Sequence, residues 1–173
     1  MPRVTSVVIV GGGPGGYEAA LVARQLGADV TLVHSDGLGG SAVLTDAVPS
    51  KALIATANVI TEAATSATLG VLIHGRRPDP SLVGVDLTTV NRRIKALAAQ
   101  QSADIGERLK REGVRTIHGR ARFGGPDRIV ATRADGTEET LDADVSLLAT
   151  GARPRILADA QPCLLYTSPS PRD

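Results

Sequence analysis

The stretch that most constrains the fold is residues 7–20, which run Val-Val-Ile-Val-Gly-Gly-Gly-Pro-Gly-Gly-Tyr-Glu-Ala-Ala. A β-branched run, a glycine turn and an alanine-rich segment predict a buried strand, a tight turn and a helix. Gly11, Gly13 and Gly16 match the G-x-G-x-x-G pattern of a dinucleotide-binding βαβ unit. The first glycine permits the turn, the second lets a pyrophosphate approach the backbone, and the third lets the helix pack close to the strand. An ordinary glycine-rich loop is the alternative, and the flanking strand and helix favour the nucleotide site.

The predicted helix follows this turn directly, so its N-terminus offers N–H groups and a positive dipole end to the phosphates. The turn lacks the following Lys-Ser/Thr of a Walker-type phosphate loop. We therefore predict that one set of residues binds the nucleotide phosphates, namely Gly11, Gly13, Pro14, Gly15 and Gly16.

Composition narrows the class of protein. A chain of 173 residues with 42% hydrophobic residues is long enough for one domain with a real core, and only 2% aromatics leaves that core to aliphatic side chains. A net charge of +1 without a basic stripe argues against nucleic acid. We find no apolar run of membrane-spanning length, no signal peptide and no metal-ligand spacing of Cys or His, and we expect a cytoplasmic protein without a metal site.

The pattern along the chain predicts an α/β fold: a doubly wound parallel sheet, Rossmann-like, with a small antiparallel β-meander. Strands are predicted over 5–10, 28–33, 70–73, 114–118 and 143–148, and meander strands over 120–123, 128–133 and 138–141. Helices are predicted over 17–26, 50–64 and 86–112, with Ser50 as the N-cap of the second and a weak point near the middle of the third.

The end of the second strand departs from the usual dinucleotide pattern. A carboxylate is expected there to bind the ribose, but the residues are His34, Ser35 and Asp36. A neutral imidazole accepts a hydrogen bond through one nitrogen only. Either His34 makes a weaker ribose contact, or Asp36 serves from a shifted position, or His34 is a surface residue in a turn. His34 and Ser35 are kept as candidate cofactor-binding residues, and the alternatives stay open.

Two further motifs follow the glycine turn. The first combines Leu38-Gly39-Gly40 with Pro49-Ser50-Lys51, and the second is Ala149-Thr150-Gly151, which comes much later, after a predicted strand. In this order the motifs resemble the flavoprotein disulfide reductases, which include lipoamide dehydrogenase, glutathione reductase and mercuric reductase. The resemblance covers residues 4–158 and implies an FAD-binding domain.

The family's redox-active cysteine pair would fall at Ala42 and Ala47. Alanine forms neither a thiolate nor a disulfide, so a dithiol relay is excluded at these positions. The chain therefore resembles the cysteine-less NAD(P)H quinone dehydrogenase branch, which implies hydride transfer from NAD(P)H to FAD and electron transfer to a quinone-type acceptor. A dihydrolipoyl dehydrogenase-like or soluble transhydrogenase-like flavoprotein is the second hypothesis, and a non-catalytic flavin-binding module is the third.

The resemblance also implies roles for single residues. Lys51 would lie beside the flavin and tune it, together with a carboxylate from a later segment. The backbone at Gly119 and Ala121 would contact the adenine. The other cofactor-binding candidates carried over from the family are Gly40, Ser41, Ala149, Thr150 and Gly151.

The last stretch, residues 163–173, begins at Cys163, the one cysteine of the chain. We interpret it as a translated sequencing adapter and exclude it from the fold. Residues 1–162 are then interpreted as the incomplete FAD-binding domain of a longer protein. The resemblance implies that the NAD(P)H domain and a C-terminal domain forming a homodimer lie outside this chain, so we expect this chain alone to be inactive.

Overall fold

A computed structural model describes residues 3–152 of the 173-residue chain. Its strands are β1 (Ser6–Val10), β2 (Asp29–His34), β3 (Arg115–Gly125), β4 (Arg128–Arg133), β5 (Glu138–Asp142) and β6 (Val145–Leu148). Its α-helices are α1 (Pro14–Gln25), α2 (Gly40–Leu44), α3 (Ala47–Thr65) and α4 (Leu87–Arg111), with short 3₁₀ turns at Ser66–Leu69 and Pro80–Leu82. The adapter-like residues 163–173 lie outside the described residues.

Within residues 3–152 the strands form one sheet in the order β5-β4-β3-β2-β1-β6. Strands β6, β1, β2 and the first half of β3 are parallel, and the second half of β3 continues into an antiparallel meander with β4 and β5. The predicted α/β fold, a Rossmann-like parallel sheet with a β-meander, is confirmed. The strands predicted over 114–118 and 120–123 form one continuous strand, β3, which pairs with β2 up to His118 and with β4 from Gly119 onward.

Both faces of β1 and β2 are covered, as the continuous apolar run of β1 predicts, whereas Val145, Leu147 and Leu148 of the edge strand β6 are exposed. Side chains alternate across a strand, so Ile9 and Leu32 face one side while Val8 and Val33 face the other. The first side packs against α1 and α4 in the cluster Ile9, Ala20, Leu21, Ala28, Val30, Leu32, Leu38, Leu109 and Val114. The second side is covered by the meander in the cluster Val8, Val33, Ile117, Ile129, Ala131, Leu141 and Ala143.

The predicted strand over 70–73 is wrong. The Ile73 N–H donates to the Arg76 carbonyl at 2.8 Å, and the Arg76 N–H donates back at 3.0 Å. His74 and Gly75 between them have φ of 50° and 76°, so the segment is a two-residue turn with an isolated bridge. It extends no sheet because none of the described strands pairs with it.

The predicted start of α3 at Ser50 is also wrong. The helix begins at Ala47 after the N-cap Asp46, and Pro49 lies inside its first turn. Proline is tolerated there because the first-turn N–H groups have no intrahelical partner. The Ser50 hydroxyl donates to the Ala47 carbonyl at 3.2 Å and does not cap the helix. The short helix α2 before it is a further element that the sequence pattern does not predict.

Helix α4 is continuous through its predicted weak point. The Asp86 carboxylate caps its start by accepting from the backbone N–H groups of Thr88 and Thr89 at 2.9 and 3.2 Å. Gly106 allows the helix to lie close to the loop before α2, since a Cβ there would meet Leu38 Cδ1 at 3.3 Å. Tertiary packing therefore stabilises a segment whose local helix propensity is low.

Helix α3 has no buried residue. By length and composition alone, the helical stretch Gly40–Leu69 is long and apolar enough to cross a membrane, and 6% of its most apolar window is buried. The stretch carries Asp46, Lys51 and Glu62 and is interrupted between α2 and α3, so it is weak support for a membrane span.

Candidate nucleotide-binding site

The glycine turn joins the carboxyl end of β1 to the N-terminus of α1. Gly11 has φ of 118°, and a Cβ there would lie 2.1 Å from the Ala149 carbonyl oxygen. A Cβ at Gly16 would lie 1.8 Å from the Gly11 carbonyl oxygen. Only glycine fits at these two positions, because any side chain would push α1 or β6 away from β1.

The middle of the turn is open. A Cβ at Gly15 would meet nothing within 4 Å, and one at Gly13 would meet only Gly40 Cα at 3.9 Å. Gly13 is the N-cap of α1, and the first two helical residues, Pro14 and Gly15, are exposed. This geometry leaves room for an anionic group at the positive end of the helix.

The loop before α2 is held against this turn. The Gly39 N–H donates to the Gly12 carbonyl at 2.7 Å. A Cβ on Gly40 would lie 2.7 Å from Gly13 Cα, and Gly40 has φ of 56°. Glycine is required at Gly40 because the two loops touch backbone to backbone, a contact that the sequence pattern alone did not reveal.

The third motif, which begins at Ala149 after β6, contacts the same glycine turn. The Ala149 N–H donates to the Val10 carbonyl at 2.8 Å, and the Gly11 N–H donates to the Val33 carbonyl at 2.8 Å. The ends of β6, β1 and β2 are thus joined at the glycine turn. Three motifs that are separated by up to 140 residues in the chain, taking Gly11 and Gly151 as ends, converge at the carboxyl edge of the parallel sheet, where open α/β sheets bind ligands.

His34 closes the far side of the turn. A Cβ on Gly12 would lie 2.8 Å from His34 Cβ, so this side chain packs directly on the turn. The parallel register pairs His34 with His118, and their rings stack with centroids 5.1 Å apart and an interplanar angle of 17°. His118 Nε2 lies 2.8 Å from the Ser35 carbonyl oxygen. Since a carbonyl only accepts, that nitrogen carries the hydrogen.

The electrostatics of His34 favour its neutral form. Burial lowers the pKa of His34 below its ordinary 6.5, the neighbouring His118 lowers it further, and the carboxylate of Asp36 raises it in part. Its Nδ1 is buried and has no hydrogen-bond partner among the described residues. An unpaired buried polar nitrogen costs about 1–3 kcal/mol, which a ligand hydroxyl would offset.

Beside the histidine pair lies an open cleft of about 330 Å³. Its lining comes from the loop after β2 and from the two strands that begin the meander: Ser35, Asp36, His118, Gly119, Arg120, Thr132, Arg133 and Ala134. A Cβ at Gly119 would lie 2.4 Å from the Thr132 carbonyl oxygen, so this glycine lets β3 and β4 approach where they line the cleft. The Arg133 guanidinium is paired with the Glu139 carboxylate at 2.8 Å.

The structure therefore brings together most of the sequence-predicted site residues. Those at the turn, the α2 loop, the end of β2 and the end of β6 are Gly11, Gly13, Pro14, Gly15, Gly16, His34, Ser35, Gly40 and Ala149. Ser41 follows Gly40 in α2, and Thr150 and Gly151 follow Ala149. Ala121 stands apart, because it packs on the second core cluster and does not line the cleft.

Lys51 and the two alanines lie on the helical segment. Ala42 is in α2 and Ala47 is the first residue of α3, and both are partly buried. Lys51 is exposed on α3 and forms no ion pair with another residue of 3–152. Its role beside a flavin stays a prediction. Among the described residues, no cluster of three His, Cys, Asp or Glu could hold a metal ion.

Sequence reasoning missed the contribution of His118, Arg120 and Thr132. From the sequence alone, His118 is interpreted as a packed or solvent-facing residue. A signal is nevertheless present, because the carboxyl ends of adjacent parallel strands share one edge and each of these two parallel segments ends in a histidine. The arginine and the threonine carry no such pattern, since the pairing of β3 with β4 places them at the cleft.

Comparison with known proteins agrees with this geometry. Residues 5–163 match the family model described as pyridine nucleotide-disulphide oxidoreductase. A protein of Mycobacterium tuberculosis named NAD(P)H dehydrogenase (quinone) is 46% identical over 168 residues, covering 92% of this chain and 33% of that protein. A dihydrolipoyl dehydrogenase of Halobacterium salinarum is 38% identical over 152 residues, covering 87% of this chain and 30% of that protein.

Among solved structures, the crystal structure of LpdA from Mycobacterium tuberculosis superposes with a TM-score of 0.80 at 45% identity. The match covers 92% of this chain and 34% of that one. The chain thus spans about a third of the length of the relatives that it matches. Since the family model covers nearly the whole chain and the three nucleotide motifs converge as described, the chain belongs to the pyridine nucleotide-disulphide oxidoreductase family.

Proposed function

We propose that this chain forms the FAD-binding part of an oxidoreductase that passes electrons from NAD(P)H through the flavin to a quinone-type acceptor, without a redox-active disulfide. The observation that carries the proposal is the convergence of the glycine turn, the Gly39–Gly40 loop and the β6 end around an open helix N-terminus, with alanine at both positions of the cysteine pair. The relative at 46% identity is named NAD(P)H dehydrogenase (quinone), which supports the acceptor class.

The described residues fit an FAD molecule. The pyrophosphate would lie over Gly13 and Gly15, where the backbone leaves space and the α1 N-terminus attracts negative charge. The unpaired Nδ1 of His34 offers a partner for a ribose hydroxyl, and the cleft at Gly119 would receive the adenine. Bound FAD supplies the hydride-accepting chemistry, and these residues supply its binding and orientation.

The helical segment would set what the flavin reacts with. Because Ala42 and Ala47 carry no thiol, a dithiol substrate finds no exchange partner there, and electrons would leave the flavin directly for a small acceptor. Lys51 would tune the flavin from α3. Exposed on its helix, it has no ion pair within residues 3–152 and is available for a carboxylate from outside this segment.

A dihydrolipoyl dehydrogenase-like function is the second candidate, favoured by the names of relatives at 31–38% identity. Turnover assays separate the two. We expect the full-length protein to reduce menadione with NADH or NADPH and to leave lipoamide unreduced. Lipoamide reduction would contradict the proposal, and a bound FAD that neither NADH nor NADPH bleaches would establish a non-catalytic flavin-binding module instead.

Flavin binding is tested on the chain itself. We expect the 173-residue chain to bind FAD and to quench its fluorescence, but not to oxidise NAD(P)H, because it spans about a third of its relatives. Gly13→Asp should abolish binding by placing a carboxylate where the pyrophosphate would lie, whereas Gly84→Ala, at an open position, should not change it. A cytoplasmic location and a homodimer of the full-length protein complete the proposal.

A further inference from the structure

The stacked histidines occupy the position where a dinucleotide site normally holds the ribose with a carboxylate. His34 is the last residue of β2, and His118 stands opposite it on β3 in the parallel register. Neither residue belongs to the hydrophobic clusters. The pair lies between the glycine turn and the cleft that would receive the adenine, since His34 packs on Gly12 and His118 lines the cleft.

The pair is ordered by one hydrogen bond and leaves another unmade. His118 donates from Nε2 to the Ser35 carbonyl at 2.8 Å, which fixes both the ring and the loop that follows β2. His34 is held by the stack and by the turn, and its Nδ1 is buried without a partner among the described residues. Buried polar atoms in folded proteins are almost always paired, so an exception points to a missing ligand atom.

We propose that His34 and His118 act as one ribose-binding pair, in which Nδ1 of His34 hydrogen-bonds a ribose hydroxyl of the adenosine half and His118 holds the His34 ring in place. The affinity for FAD then falls at acidic pH. The inference rests on the proposed FAD site and adds His118 and a proton dependence to it. A carboxylate at this position would hold the ribose at any pH above about 5, so the substitution changes the behaviour of the site.

The charged groups around His34 determine the direction of the effect. From β3 it faces His118, from the loop after β2 it faces Asp36, and the glycine turn contributes no ionisable side chain. Arg120 and Arg133 line the cleft beyond the pair. A proton on either ring would set a positive charge against its stacked neighbour.

A bound nucleotide shifts this balance further. Lying over His34, it would remove water from the ring and favour the neutral form, whereas its pyrophosphate over Gly13 and Gly15 would favour the protonated form. We expect desolvation to dominate because Nδ1 is already buried. By linkage, the complex then binds fewer protons than the free protein, and FAD affinity falls as the pH falls.

The test is an FAD titration of the full chain at pH 7.5, 6.25 and 5.0, followed by flavin fluorescence. We expect the Kd to rise by about tenfold over this range, as for a site coupled to one proton. His34→Asn keeps a polar atom near the position of Nδ1 but loses the stacked ring and cannot titrate, so we expect its Kd at pH 7.5 to rise several-fold while its pH profile becomes flat.

Two further variants separate binding from folding. His118→Gln keeps an N–H for the Ser35 carbonyl but removes the ring stacked on His34, and we expect weaker FAD binding at pH 7.5 together with a smaller pH dependence. His74→Gln is the matched control, since His74 is the remaining histidine of the chain and lies in the exposed turn after α3. Its profile should match wild type. Circular dichroism at each pH checks that every variant is folded.

The outcomes are distinguishable. A wild-type profile that is flat, or that tightens in acid as an imidazolium paired with pyrophosphate would, overturns the inference and leaves the FAD site standing. The same holds if the slope persists in His34→Asn or vanishes in His74→Gln. No FAD binding at pH 7.5 overturns the proposed function and this inference with it.

Discussion

Two regions of the chain differ sharply in how they use their apolar side chains. The sheet region, which comprises β1–β6 with α1 and α4, buries many of its apolar residues in two clusters, one on each face of the parallel strands, although β6 leaves Val145, Leu147 and Leu148 exposed. The arm, residues 47–85, contains α3 and the two 3₁₀ turns and has no buried residue. Large apolar side chains are exposed along it: Leu53, Ile54, Val59, Leu69, Val71, Leu72, Ile73, Leu82 and Val85.

The secondary structure of the two regions depends to different degrees on tertiary contacts. Six of the 19 residues of α3 are alanine, which favours a helix locally, whereas the exposed apolar side chains of the arm gain little from burial within the described residues. Contiguous exposed apolar surface is typical of faces that contact other protein. The glycine turn, the Gly39–Gly40 loop and the end of β6 belong to the sheet region and the loop before α2, whereas Pro49, Ser50 and Lys51 lie in the arm. The candidate site is therefore built mainly on the packed part of the chain.

The largest expected contrast is between two isoleucines. Ile9 is 0% exposed in β1, and Ile54 is 58% exposed on α3. Ile9→Ala should lower the free energy of unfolding by about 2–5 kcal/mol through lost burial and a cavity. Ile54→Ala should change it by less than about 0.5 kcal/mol. Urea unfolding followed by circular dichroism measures both. Equal losses would show that the arm is as well packed as the sheet.

A second contrast uses two glycines. Gly16→Ala places a methyl group 1.8 Å from the Gly11 carbonyl oxygen, so α1 must move away from β1, at a cost of about 1–3 kcal/mol. Gly84→Ala in the arm meets nothing within 4 Å and should be neutral or stabilise by less than about 1 kcal/mol. Thermal melting compares the two variants. Only Gly16→Ala should also weaken FAD binding. A wild-type affinity for FAD in that variant would contradict the assignment of the glycine turn to the FAD site.

A third, smaller contrast concerns the caps of the two long helices. Asp86 caps α4 through two backbone N–H groups, whereas Asp46 at the start of α3 accepts no capping hydrogen bond. Asp86→Ala should lower the free energy of unfolding by about 1 kcal/mol, and Asp46→Ala should change it by less than about 0.5 kcal/mol. Chemical denaturation at pH 7 measures both, and a larger loss for Asp46→Ala would reverse the ranking of the helices.

The smallest expected effect is on stability in acid without ligand. The pKa of His34 is lowered in the folded chain from 6.5, so the unfolded chain binds the proton more readily. Stability contributed by the neutral ring is complete above about pH 6.5 and is lost as the pH falls toward the folded pKa. Because the ring is partly exposed to solvent, we expect a loss below about 1 kcal/mol.

Thermal melting of the apo chain between pH 7.5 and 5.0 checks this sign. His34→Asn should remove that part of the decrease, and His74→Gln, in the arm, should retain it. If His74→Gln removes the decrease instead, the acid sensitivity belongs to the arm and not to the strand ends.

The sequence predicted the packed region well and the arm poorly, for one physical reason. In the sheet region, burial constrains the strand residues and requires glycine at Gly11 and Gly16, so the pattern carries the fold. In the arm no such constraint acts. The strand predicted over 70–73 is a turn, because a local apolar run does not reveal whether a partner strand exists. Helix α3 begins at Ala47, although Pro49 suggested a later start, because proline is tolerated in the first turn of a helix.

Residue identities alone specify the βαβ unit, the order of the three motifs and the presence of alanine, which has no thiol, at positions 42 and 47. These follow from side-chain chemistry and from short-range backbone geometry, both of which depend directly on residue identity.

Which of these motifs are in contact depends on the tertiary structure. It placed the Gly39–Gly40 loop against the glycine turn, closed the turn with Ala149, and stacked His118 on His34. These contacts join residues that are 27 positions apart, from Gly12 to Gly39, up to 138 positions apart, from Gly11 to Ala149. They exist because parallel strands bring their carboxyl ends to one edge of the sheet, which no local pattern in the chain specifies.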